Sequence, residues 1–136
     1  MFKVKIITPN GEYTELDATI LNVMTTNGMR GILTDHMPLV AMIDVGWLTI
    51  ANEELVPGYR YDYATGTGML YFNDNLATVL VETIERSDEI DLNRAEEALR
   101  RSESRMANID TQNIDVERAR RAYRRAKNRI RVKTEK

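Results

Sequence analysis

The hydrophobic pattern of the chain changes period about two thirds of the way along. Near the N-terminus Phe2, Val4 and Ile6 alternate with Lys3 and Lys5, a period of two that predicts a half-buried β-strand. Pro9-Asn10-Gly11 predicts a turn. Residues 18–25 are rich in Ile, Leu, Val and Thr, as strands are, and Asn27-Gly28 with Gly31 bound another turn. Residues 45–50 and 59–65 predict two strands joined by a loop holding Asn52-Glu53-Glu54 and Pro57-Gly58. Gly66-Thr67-Gly68 and Asn73-Asp74-Asn75 punctuate two more, at 69–72 and 76–81. Short strands at close spacing predict an antiparallel β-sandwich or flattened barrel.

From residue 91 onward the period is helical. Leu92, Ala95, Leu99, Ser102 and Met106 recur at alternating spacings of three and four, as do Val116, Ala119, Tyr123, Ala126 and Ile130. Each set makes a stripe along one helix face. Asp91 and Asp115 occupy N-cap positions, with Ile90 and Ile114 just before them, and 107–114 can turn the chain. The fold class is therefore α+β in two parts: a β-sandwich over 1–86 and an antiparallel two-helix hairpin over 87–136. Both stripes are rich in small residues and bury less apolar surface than a core helix does, so the hairpin is expected to be held loosely.

Charge sharpens the division. Residues 1–90 carry 5 basic and 13 acidic side chains, net −8, whereas residues 91–136 carry 14 basic and 8 acidic ones, net +6. Two segments of opposite sign imply different electrostatic partners. No cysteine is present, which excludes disulfides and thiol chemistry. No apolar run reaches the roughly 18 residues of a membrane span, and the N-terminal residues lack a signal or transit pattern. A cytoplasmic protein is expected.

Several motifs carry a resemblance. The segment Gly31-Ile32-Leu33-Thr34-Asp35-His36-Met37-Pro38-Leu39-Val40 is similar to the Gly-Ile/Val-Leu-x-x-His-x-Pro-Leu segment of F-type ATP synthase epsilon subunits. Val4-Lys5-Ile6-Ile7-Thr8-Pro9-Asn10-Gly11 resembles the family's first strand and turn, and Ile90-Asp91-Leu92-Asn93-Arg94-Ala95 its Ile/Leu-Asp-x-x-Arg-Ala junction. Where the family often has Gly-Gly-Phe, this chain has Gly66-Thr67-Gly68-Met69, which puts that turn's conformation in question.

The resemblance implies a non-catalytic subunit of the central stalk of a bacterial enzyme, peripheral on the cytoplasmic face of the plasma membrane. The missing transit peptide disfavours a mitochondrial origin and leaves a chloroplast one open. The sandwich would bind the gamma subunit and rest on the c-subunit ring, with the 28–42 region at the ring-facing end and Met29, Met37 and Met42 serving the gamma or the ring contact. The hairpin would alternate between a compact form and one extended along gamma to the alpha and beta subunits, hindering hydrolysis. The basic residues of the second helix, Arg118 to Arg131, would face acidic segments of beta, an attraction that salt weakens. Some family members bind ATP on the compact form. The residues implicated are Glu85, Asp91, Arg94, Arg101, Arg125 and Arg129. Arginine grips phosphate oxygens with paired hydrogen bonds, and Arg125 and Arg129 share a helix face. Such ATP would be regulatory, with no cofactor required.

Simpler readings stand beside these. Asp91 is by default a helix cap, the four arginines are by default solvated faces, and Tyr123 is a packing residue. His36 is the only histidine, so a zinc site with cysteine or a second histidine is excluded, and no Ser-His-Asp signature accompanies it. No Gly-x-x-x-x-Gly-Lys-Ser/Thr loop is present, so no P-loop hydrolase is expected. A nucleic-acid-binding module using the basic hairpin is the alternative, but Glu96, Glu97 and Glu103 interrupt the arginines of the first helix. No catalytic residue, metal site or nucleic-acid partner is expected.

Overall fold

The computed structural model describes residues 1–107 and 115–135. The chain divides into two compact units, Met1–Arg86 and Ser87–Lys136. The first holds nine strands: β1 (Phe2–Thr8), β2 (Gly11–Ala18), β3 (Ile20–Thr25), β4 (Gly28–Leu33), β5 (Leu39–Asn52), β6 (Tyr59–Thr65), β7 (Gly68–Asn73), β8 (Leu76–Val81) and β9 (Ile84–Arg86). The second holds a 3₁₀ turn at Ser87–Glu89 and two helices, α1 (Leu92–Ala107) and α2 (Val116–Thr134).

The nine strands share one continuous hydrogen-bonded path because β5 serves two layers. Its first part pairs with β7 from Leu39↔Phe72 to Ile43↔Gly68. Its second part pairs with β6 from Gly46↔Thr65 to Asn52↔Tyr59, and with β3 on its other edge. One layer therefore runs β2-β1-β8-β7-β5, and the other β4-β3-β5-β6-β9. Inward-facing side chains of both layers meet in a single cluster that includes Phe2, Val4, Ile6, Leu21, Ile32, Leu48, Leu70, Phe72 and Val79. Phe2 and Phe72 meet edge to face at 5.6 Å, a preferred geometry for the ring quadrupoles.

Two hairpins use the same local chemistry. Thr8-Pro9-Asn10-Gly11 and Thr25-Thr26-Asn27-Gly28 share the pattern Thr-x-Asn-Gly. In each, the first Thr hydroxyl accepts from the Asn N–H at 3.2 Å and donates to the Gly carbonyl. The glycines sit at φ +112° and +104°, a region that L side chains avoid.

The structure departs from the sequence expectations in several places. Strand β5 runs from 39 to 52, well beyond the expected 45–50, since half of it belongs to the other layer. Strands β2, β4 and β9 were not anticipated. Gly31 lies inside β4, opposite Asn22, and bounds no turn. The expected strand over 18–25 breaks at Thr19, where the chain passes from β2 to β3. The ladder between β1 and β8 is parallel; the other seven pairings are antiparallel. Around Gly66-Thr67 the backbone is held on both sides, by Gly66 N–H to Thr83 O at 2.9 Å and Glu82 N–H to Thr67 O at 3.0 Å.

In the second unit the two helices pack against each other. Asp91 caps α1 by accepting from Arg94 N–H, and Asp115 caps α2 by accepting from Arg118 N–H, both at 3.2 Å. Lys133 Nζ donates to Ser87 O at 3.1 Å, so the end of α2 meets the turn before α1 and the helices run antiparallel. The seam is built on small residues: Ala95, Ser102, Ala119 and Ala126 are buried, while Leu92, Leu99, Met106, Val116, Tyr123 and Ile130 are half-buried. Val132, off the expected stripe, is also buried. Of the expected turn at 107–114, Ala107 is the last residue of α1, and 108–114, including Ile114, lie outside the described residues.

Candidate functional site

The outer face of the β2-β1-β8-β7-β5 layer breaks the usual rule that one face of an antiparallel sheet is solvated and polar. Strands β7, β8 and the first part of β5 are largely apolar on both sides. Met42 lies opposite Met69, Met69 opposite Leu80, and Leu80 opposite Ile7, so these four make one row across β5, β7, β8 and β1. The adjacent row is Val40, Tyr71, Thr78 and Lys5, and Leu76 adds a further apolar position. Val40 is 58% exposed, Met42 54%, Tyr71 50%, Leu80 43% and Met69 41%.

A contiguous apolar surface of this kind marks an interaction site. Charge limits it on the β2 side, where Lys3 meets Glu15 at 3.7 Å and Lys5 meets Glu12 at 3.9 Å. Exposed apolar residues continue on β4 and the following loop, at Met29, Leu33 and Met37. That loop is fixed by a reciprocal bridge: Asn75 Oδ1 accepts from Asp35 N–H at 2.7 Å, and Asn75 Nδ2 donates to Asp35 Oδ1 at 2.8 Å. His36 packs edge to face on Phe72 at 5.7 Å, with its Nδ1 2.7 Å from Met37 O. These contacts are structural.

On the outer surface of the other layer, Trp47 and Asp62 are tied together. Asp62 Oδ1 accepts from Trp47 Nε1 at 2.9 Å and Thr49 Oγ1 at 2.7 Å, with an Arg60 guanidinium nitrogen at 3.5 Å. Partial burial alone would raise the Asp62 carboxyl. The hydrogen bonds from Thr49 and Trp47 and the charge of Arg60 outweigh it and hold the carboxyl below the ordinary aspartate range. Trp47 is thus half-buried and hydrogen-bonded.

The six residues implicated in nucleotide binding are placed as follows. Glu85 is half-buried on β9, paired with Ala64, and lines an open cleft with Glu12 and Glu82. Three carboxylates there repel phosphate and leave Glu85 suited only to a hydroxyl or amino group. Asp91 is the α1 cap. Arg94 and Arg101 precede the seam residues Ala95 and Ser102 by one position, and Arg125 precedes Ala126. In antiparallel helices a residue one before the seam turns to the same flank on both partners. Arg129, one turn beyond Arg125, borders that flank and is half-buried, whereas Arg94, Arg101 and Arg125 are exposed. The structure brings these four arginines to one side of the helix pair. Arg94 and Arg101 stand about 10 Å apart along α1 at 1.5 Å per residue. No metal-holding cluster of His, Cys, Asp or Glu occurs among the described residues, and no described helix is long and apolar enough to cross a membrane.

Sequence reasoning named Met29, Met37 and Met42, with Val40 inside its 28–42 region, but missed Ile7, Met69, Tyr71, Leu76 and Leu80. The signal was present: the runs at 69–72 and 76–81 are apolar at consecutive positions rather than alternate ones, so both faces of those strands are apolar.

Comparison with known proteins fits this two-part architecture. Residues 1–87 match the model of the ATP synthase delta/epsilon chain β-sandwich domain, and residues 88–134 that of the delta/epsilon chain long α-helix domain. The chain is 35% identical over 104 residues to the ATP synthase epsilon chain of Levilactobacillus brevis, covering 76% of this chain and 72% of that one. It is 36% identical over 105 residues to the epsilon chain of Pelotomaculum thermopropionicum, covering 77% and 75%. Among solved structures, a chain of the Euglena gracilis mitochondrial ATP synthase shares the fold with a TM-score of 0.77 at 16% identity, over 92% of this chain and 76% of that one. With both of its domains matched in order, the chain belongs to the ATP synthase delta/epsilon chain family.

Proposed function

We propose that this chain is a non-catalytic subunit of the central stalk of a proton-translocating ATP synthase, docked through the apolar outer face of its first sheet onto the gamma subunit. The observation that carries this reading is the double-sided apolar character of β7, β8 and the first part of β5, which leaves Met69 and Tyr71, Leu80, and Val40 and Met42 exposed. An isolated chain gains nothing from such a surface, while an obligate partner gains apolar burial at roughly 25 cal/mol per Å². The exposed end formed by Met29, Leu33 and Met37 is suited to the c-subunit ring. The chain would then be peripheral on the cytoplasmic face of a bacterial plasma membrane.

The experiment is co-purification with gamma. A Leu80→Glu variant puts a charge in the middle of the apolar row. It should lose gamma while retaining a cooperative thermal unfolding transition; retention of gamma at wild-type affinity would overturn the reading.

The hairpin is the regulatory element in this proposal. A seam whose fully buried stripe positions are three alanines and one serine, with its larger side chains only half-buried, is supported by little apolar area, so the helices can leave one set of contacts for another at a cost of a few kcal/mol. In the extended form the arginines of α2 face alpha and beta subunits and hinder hydrolysis. ATP is the proposed ligand of the compact form, its phosphates held by the flank of Arg94, Arg101, Arg125 and Arg129. Asp91 and Glu85 serve as acceptors for adenine or ribose. Calorimetry with millimolar ATP on the isolated protein tests the ligand; absence of binding heat removes it and leaves the stalk assignment standing.

A further inference from the structure

The row across β5, β7, β8 and β1 has two methionines at its centre, and this gives the docking face a chemistry of its own. Met42 and Met69 are register partners on adjacent strands, so their side chains lie on the same face as immediate neighbours. They are 54% and 41% exposed. Met24 and Met106, by contrast, are half-buried. The residues that continue the row, Leu80 and Ile7, carry no hydrogen-bond donor in their side chains.

We propose that Met42 and Met69 form a methionine-oxidation site, at which a peroxide converts the thioethers to sulfoxides and so blocks docking of the stalk partner. The inference rests on the docking reading above. In the step, a sulfur lone pair attacks one peroxide oxygen and an S–O bond forms as the O–O bond breaks. Sulfur is oxidised by two electrons, the peroxide is reduced, and the departing hydroxide takes the proton of the transferred oxygen and leaves as water. The product is polar and chiral. A sulfoxide oxygen pressed into the partner's apolar surface, with only Leu80 and Ile7 beyond it along its own row, gives up water and pays the desolvation of a poorly satisfied acceptor. Methionine sulfoxide is reversible by dedicated reductases, so the block is a switch on assembly and not a terminal lesion.

Met29 at 53% and Met37 at 71% exposure are the internal controls. Their exposure makes them expected targets of the same peroxide, but they lie on β4 and the following loop, outside the row.

The test uses the full chain, hydrogen peroxide, peptide mass mapping, and titration with purified gamma subunit. Sulfoxide at both Met42 and Met69 should weaken gamma binding about tenfold or more, and methionine sulfoxide reductase should restore it. A Met42→Leu, Met69→Leu double variant, whatever its starting affinity, should show the same affinity before and after peroxide. The inference is overturned if fully oxidised wild-type chain binds gamma as tightly as untreated chain. It is equally overturned if the double variant loses affinity in proportion to wild type, or if Met42 and Met69 stay unmodified while Met29 and Met37 react. Failure of the untreated chain to bind gamma would instead remove the docking reading and this one with it.

Discussion

At the scale of single residues, the side chains that decide most are polar ones placed where a strand ends. Asn52 is 1% exposed at the end of β5. Its Nδ2 donates to Asp17 O at 2.9 Å, and its Oδ1 accepts from Glu54 N–H at 3.0 Å and Leu55 N–H at 3.1 Å. It therefore ties β2 to the loop after β5. Replacing it with Ala removes these three bonds and the Nδ2 contact to Met1 Sδ at 3.0 Å, so Asn52→Ala should lower unfolding free energy by about 1–3 kcal/mol, read from urea denaturation. Asp62 makes a pH prediction. Its carboxyl is held below the ordinary range in the folded chain, so it contributes stability that is complete above the unfolded aspartate value of about 3.9. That contribution is lost as pH falls through the lower folded value. Asp62→Asn should flatten the acid side of the stability curve below about pH 4, seen as a smaller loss of Tm between pH 5 and pH 3 than wild type shows.

At the scale of elements, a change of layer within β5 and a small-residue seam between helices set the mechanics. Strand β5 turns from one layer to the other near Gly46, whose position leaves no room for a side chain: a Cβ there would lie 2.4 Å from Met24 Cβ. The ladder between β3 and β5 shifts register at the same place, between Val23 and Thr25. Gly46→Ala should therefore destabilise the sandwich by about 1–3 kcal/mol, measured as a lower urea midpoint at unchanged slope. The helical seam responds differently. Ala119 and Ala126 are each 2% exposed, and a larger side chain there forces the helices apart. Ala126→Leu should loosen the hairpin while leaving the Tm of the sandwich unchanged, visible as faster amide exchange confined to α1 and α2.

At the scale of the whole molecule, legibility in the sequence followed how local each feature is. The helix caps at Asp91 and Asp115 were readable because a cap is a contact over three residues. Strands with alternating polarity, such as β1, were readable for the same reason. Strand β5 was cut short because its first half carries exposed Val40 and Met42 against buried Ile43, and only the second layer explains why it continues. The antiparallel direction of the helices, which sets the four arginines on one flank, is expected from the two stripes and the turn between them and agrees with the Lys133–Ser87 bond. The exposed apolar face needed the register of four strands, a non-local fact.

The separation of the core carries a last prediction. Every residue of the buried apolar cluster, from Phe2 to Val81, lies within residues 1–86, as do the half-buried side chains packed on it, ending at Ile84. None of Ile90, Ala95, Ala119, Ala126 or Val132 belongs to it. A chain ending at Arg86 keeps all nine strands and the whole cluster. It also keeps the acidic charge of the body without the cationic helices. It should unfold in one cooperative calorimetric transition, with a Tm within about 5 °C of the sandwich transition in the full chain, and it should still bind gamma. A truncated chain with no transition would mean that the helices complete the body's core, and a hairpin that completes a core is not free to exchange partners.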